Sequence, residues 1–168
     1  MGSIDDANRR AGWITTSGGG NPVSVVLLLG QAAATLFMTG VIWIVQTVHY
    51  PLFALVGRDG FREYAREHQR RITPVVGVAM PVEAVTAVLL LLVTPVGVER
   101  GLLVLGVILL LPIWLSTALV QVPAHRRLSA GFEDRVASRL VVTNWLRTAL
   151  WSARSALILV VLAQAIDA

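Results

Sequence analysis

"TNWLRTALWSAR" (Thr143–Arg154) runs without a break into "SALILVVLAQAI" (Ser155–Ile166). The second half is apolar enough for a bilayer-crossing helix. The first half places Arg147 and Arg154 on what should be the same helix, and a guanidinium in hydrocarbon is costly unless it is paired or reaches water. How those two arginines are accommodated decides what kind of bundle this chain can form.

Composition sets the context. The chain has 168 residues, of which 55% are hydrophobic and 14% charged, with a mean hydropathy of +0.71. These values lie outside the range of soluble domains and point to a membrane protein. The 14 basic residues are all arginine, so the net charge of +4 comes from groups that stay ionised in any plausible environment. In a soluble chain that balance would suggest nucleic acid. Here it suggests lipid headgroups, and no nucleic-acid partner is expected. Cysteine is absent, which excludes disulfides and thiolate chemistry.

Four stretches are long and apolar enough to cross about 30 Å of hydrocarbon: Val23–Val48, Ile72–Val93, Gly101–Gln121 and Val141–Ile166. The expected fold is therefore an all-α integral membrane domain over residues 23–166, preceded by a disordered tail over residues 1–22, which is rich in Gly, Ser, Thr and charge. The first stretch is too long for the apolar region of a cleaved signal peptide. Arg58, Arg62, Arg66, Arg70 and Arg71 fall between spans 1 and 2, and Arg126, Arg127, Arg135 and Arg139 between spans 3 and 4, against Arg9, Arg10 and Arg100 on the other side. The positive-inside bias then predicts a plasma (inner) membrane protein with loops 1 and 3 cytoplasmic and both termini outside.

Loop 1, "GRDGFREYAREHQRRI" (Gly57–Ile72), has helical periodicity. Phe61, Tyr64, Ala65, His68 and Ile72 share one face, which predicts an amphipathic interfacial helix from about Asp59 to Arg71. Val45-Gln46 also aligns with Val120-Gln121, and Gly60-Phe61 with Gly131-Phe132. Two tandem hairpin repeats related by a pseudo-two-fold axis along the membrane normal are the expected arrangement. In that alignment Glu83 follows Phe61 at the same interval as Arg154 follows Phe132. Opposite charges thus occupy equivalent depths, where a pair would relieve both burial costs. Arg147, two turns nearer the boundary, is expected to snorkel, whereas Arg154 needs Glu83 or an anionic ligand.

The remaining polar residues gather toward the same end. They are Gln46, His49 and Tyr50 from span 1, Glu67 and His68 from the interfacial helix, Gln121 and His125 from span 3, and Asn144 with both arginines from span 4. Trp43, Trp114, Trp145 and Trp151 lie at similar depth, some of them as boundary anchors. A polar, aromatic-rimmed funnel is the expectation. Its candidate catalytic residues are Glu67, His49, Glu63 and Glu83, and its candidate substrate contacts are Arg147, Arg154, Asn144, Trp145, Trp151, His68 and Tyr50. The three histidines have no recognised metal-ligand spacing, and there is no dinucleotide or phosphate-binding motif, so neither a metal nor a cofactor is expected.

"NWLRTALWSAR" (Asn144–Arg154), following "VPAHRRL" (Val122–Leu128), resembles the bacterial four-helix membrane proteins grouped with the anthrone-oxygenase-like domain of unknown function. Their last span carries an Asn/Trp element followed by arginine, here Asn144, Trp145 and Arg147. The resemblance implies cofactor-free oxidation: Glu83 or His49 deprotonates a phenolic substrate, and Arg147 or Arg154 stabilises the enolate that reacts with oxygen. In size and span number the chain is also similar to small actinobacterial membrane terpene cyclases. That likeness implies proton-initiated cyclisation of a prenylated substrate. Glu63 and Glu67, one helical turn apart, could keep one carboxyl protonated for it. Acid–base chemistry on a lipophilic small molecule, the cyclisation first and the oxidation second, is the leading expectation, beside a non-enzymatic transporter or lipid-binding protein. The sequence specifies no oligomeric state.

Overall fold

A computed structural model describes residues 21–168, and all described regular structure is helical. Four helices are long and apolar enough to cross a membrane: α1 (Pro22–Leu55), α2 (Arg58–Leu92), α3 (Arg100–Leu128) and α4 (Asp134–Ile166). The tail expected over residues 1–22 lies outside the described residues, except at its last two positions. Asn21 opens α1 by accepting a hydrogen bond from the Val23 amide, with Pro22 in the first turn, where its missing N–H costs nothing. Gly97, at φ 74°, makes the turn between α2 and α3, and a side chain there would collide with Ala168.

Consecutive helices are joined by short connections. α1 packs on α2 and α4, and α3 packs on α4 and α2. The result is an up-and-down bundle in which α1 faces α3, and α2 faces α4, across the diagonals. Three apolar layers fill it. Tyr50, Phe53, Phe61, Leu128 and Leu140 close the end that holds loops 1 and 3. Met38, Ile42, Met80, Ile113 and Trp151 occupy the middle, and Leu28, Leu90, Leu103, Ile158 and Val161 the opposite end. Large apolar side chains such as Val26, Leu29, Leu111 and Leu119 point outward instead, as they do on a surface meant for lipid.

The expected interfacial helix is corrected. Asp59–Arg71 is not a separate element, because α2 is one continuous helix of 35 residues. At 1.5 Å per residue that is about 52 Å, far more than the hydrocarbon requires, so the arginine-rich part continues the membrane segment as a rigid extension. Pro74 leaves only the Arg70 carbonyl without its helical donor, at a position next to exposed residues. The face expected to turn inward does so: Phe61 and Ala65 are buried, and Tyr64 and His68 are half-buried.

Two irregularities shape the polar end. α1 widens into a five-residue π-turn at Val45–His49, and α3 does the same at Thr117–Gln121. Each ends two residues before a proline, Pro51 or Pro123. Proline has no N–H to give the carbonyl four residues back and its ring crowds that carbonyl, so the helix takes up an extra residue and widens.

Candidate functional site

Glu83 and Arg154 meet across the α2–α4 diagonal. Arg154 Nε donates to Glu83 Oε1 at 2.9 Å, and the two side chains are 3% and 1% exposed. Trp151 Nε1 donates to Glu83 Oε2 at 3.0 Å, and Thr35 Oγ1 to Oε1 at 2.9 Å. Gln31 Nε2 donates in turn to Thr35 Oγ1 at 2.9 Å, and Arg154 Nη1 donates to the Gly106 carbonyl. Every helix contributes to this clasp. A buried pair is tolerable when it has further hydrogen-bond partners, and here both Glu83 oxygens and two of the three Arg154 nitrogens are engaged.

Arg147 is different. It was expected to reach water, but it is only 6% exposed. Its Cζ lies 5.0 Å over the Trp151 ring, and Nη1 donates to Asn144 Oδ1 at 3.1 Å. Those two contacts hold it against the bundle axis in place of snorkelling. Asn144 is itself fixed by donating to Gln46 Oε1 at 2.8 Å. Among the described residues no carboxylate lies within ion-pair distance of Arg147, and its Nε has no hydrogen-bond partner. The bundle thus contains one compensated buried cation and one uncompensated one.

The uncompensated cation borders a cavity of about 340 Å³ near the loop 1 and loop 3 end, lined by all four helices. Its walls are mainly apolar, with Met38, Ile42, Val45 and Val76 among them, while Tyr50, His68, Gln121, His125 and Arg147 supply polar groups. The Tyr50 hydroxyl and His125 Nε2 are 2.9 Å apart and hydrogen-bonded. Gln69 Nε2 donates to the His125 carbonyl at 2.7 Å. Gln121, on the α3 π-turn, is buried with Oε1 unpartnered among the described residues. The three histidines form a file: ring centroids are 4.1 Å apart from His49 to His68 and 5.6 Å from His68 to His125. His68 lines both this cavity and an outer groove.

The expected acids lie elsewhere. Glu63 and Glu67 line the outer groove with Arg62, Arg66, Arg70 and Arg71. Arg70 and Arg71 both donate to Glu67, at 2.7 Å and 2.6 Å, and such charge-assisted bonds favour its ionised form. The expectation of a protonated carboxyl shared with Glu63 is thereby corrected at Glu67. Glu83 lies deeper, with both oxygens occupied by the clasp. Trp145 is not a cavity residue either. It is 49% exposed and meets Trp43 edge to face at 5.8 Å, because a residue adjacent to buried Asn144 on a helix points about 100° away.

Sequence reasoning places His125 only among the funnel residues and misses Gln31, Thr35, Gln69 and Thr86, whose Oγ1 donates to Gln31 Oε1 at 2.6 Å. A signal existed for part of this set. Gln31, Thr35 and Thr39 recur at four-residue spacing along α1, one polar stripe in an otherwise apolar helix.

Fold and cavity together define an all-helical bundle with four membrane-length helices and a mainly apolar cavity that carries a few polar groups. Comparison of the chain with protein-family models, with curated proteins and with solved structures found no match.

Proposed function

We propose that this protein is a membrane-embedded enzyme that performs acid–base chemistry on a lipophilic small molecule held in the central cavity. The observation that carries this reading is the hydrogen-bonded Tyr50–His125 pair on the wall of a cavity that also borders a buried arginine lacking a carboxylate partner. An imidazole beside a bound molecule can accept its proton, and the tyrosine can return one. The anion formed meanwhile is stabilised by a cation already in place and shielded from water. Phenolic or enolisable substrates fit this arrangement. Tyr50, His125 and Arg147 take the leading roles, with His68 and Asn144 positioning them.

Proton-initiated cyclisation needs a strong acid at the substrate. Among the described residues that line the cavity there is no carboxyl group, which favours base chemistry over cyclisation. A carrier remains the non-enzymatic counterpart, because the same chamber would hold a passenger.

The test uses purified protein in nanodiscs with anthrone, a lipophilic and enolisable ketone. In deuterated water without oxygen, the C10 hydrogens should exchange faster than in empty nanodiscs, as read by mass spectrometry. In air, anthraquinone should accumulate with water as the second product. A prenylated hydroquinone should be recovered without isomerisation. The exchange should fall to background in His125→Gln. Background exchange by the wild-type protein with anthrone bound would instead support the carrier.

A further inference from the structure

We propose that the cleft between α3 and α4 at the loop 1 and loop 3 end is a headgroup site for an anionic phospholipid. The cleft has a volume of about 490 Å³ and is separate from the central cavity. Arg127, Arg135 and Arg139 line it together with one carboxylate, Glu133, over an apolar wall that includes Leu119, Val120 and Pro123. Arg135 and Arg139 are one turn apart on α4, a spacing at which like charges repel. Among the described residues neither has a carboxylate within 4.0 Å, and the nearby Glu133 reaches only Arg127, at 4.0 Å.

The level of the cleft favours a lipid over a free anion. Leu119 and Val142 are 70% and 69% exposed on the outer surface beside it, so apolar wall continues from the arginines toward the hydrocarbon. A phosphodiester seated on the arginines would have its acyl chains aligned along that wall. Basic pockets between membrane helices recognise anionic headgroups in this way. Inorganic phosphate shares the charge but has no use for the wall. The proposal is independent of the chemistry assigned to the central cavity.

Native mass spectrometry of the full chain, released from micelles of phosphatidylglycerol and phosphatidylcholine, can decide it. Wild-type protein should retain phosphatidylglycerol in preference to phosphatidylcholine, and inorganic phosphate should not displace it. Arg135→Gln/Arg139→Gln should lose most of that retention. Arg66→Gln/Arg71→Gln, which removes the same charge from α2, where Arg71 pairs only with Glu67, should keep it. Arg135→Lys/Arg139→Lys should retain an intermediate amount. Equal losses in the two glutamine pairs would reduce the effect to general surface charge and overturn the site. Displacement by inorganic phosphate, or equal retention of phosphatidylcholine, would overturn it as well.

Discussion

Arg147 and Arg154 are the same residue type, two turns apart on one helix, yet their removal should have opposite effects on stability. Arg154→Met leaves Glu83 buried without its counter-charge, a loss that typically costs about 3–5 kcal/mol. Glu83→Gln should be similarly harmful, while the double variant should recover much of the loss. Arg147→Met strands no buried charge, so its midpoint of thermal unfolding should stay level or rise. The same change should abolish anthrone exchange, and Arg147→Lys should restore little, since an ammonium lacks the planar face that lies over Trp151. Thermal unfolding in detergent, run beside the exchange assay, reads both. Additive losses for Glu83 and Arg154 would mean that they do not interact, and a collapse of Arg147→Met would mean that its charge is compensated after all. The Glu83–Arg154 contact was legible in the sequence, because only one acid and one arginine stand at that depth in spans 2 and 4. The fate of Arg147 was not. Whether a long cation snorkels or folds inward depends on the ring and the amide beside it, and periodicity does not specify a rotamer.

At the level of the helix, the two π-turns are what the sequence concealed. Pro51 and Pro123 are visible as residues, but whether a proline kinks, ends or widens a helix depends on the packing around it. Pro51→Ala and Pro123→Ala each restore an amide and remove the crowding, so the turn should close into regular α-helix. Everything beyond it would then rotate relative to the cavity. The expected result is unchanged or raised thermal stability with anthrone exchange reduced several-fold, measured on each variant separately. Full activity in both would show that the widened turns do not aim the site. Loop 1 teaches the complementary lesson. Its amphipathic face was readable from Phe61, Tyr64, Ala65 and His68, but its continuity with span 2 was not, since nothing at the Arg71–Ile72 junction distinguishes a break from a straight continuation.

For the molecule as a whole, the four spans and their up-and-down order followed from hydropathy and short connections, whereas the site depended on distances that only the folded bundle provides. His125 joins Tyr50 from a different helix, a pairing that no spacing within one helix could announce. The arginine asymmetry predicts that the exposed extension of α2 faces the cytoplasm. The chain contains no cysteine, so Arg66→Cys supplies a single thiol for an impermeant maleimide. Labelling of inverted vesicles, with none on intact cells, is the expected pattern, and the reverse would invert the assigned orientation. The clasp across the diagonal also bears on synthesis. Arg154 is made 71 residues after Glu83, so α2 reaches the bilayer before its counter-charge exists. Its own apolar length must carry it in: its most apolar window has a mean hydropathy of 2.3, and a central charge such as aspartate costs about 2.5–3.5 kcal/mol that the apolar residues around it must offset. The ribosome therefore delivers the bolt last. Until the fourth helix arrives, the first three lack the one cation that balances Glu83, and stay open to rearrangement and to quality control.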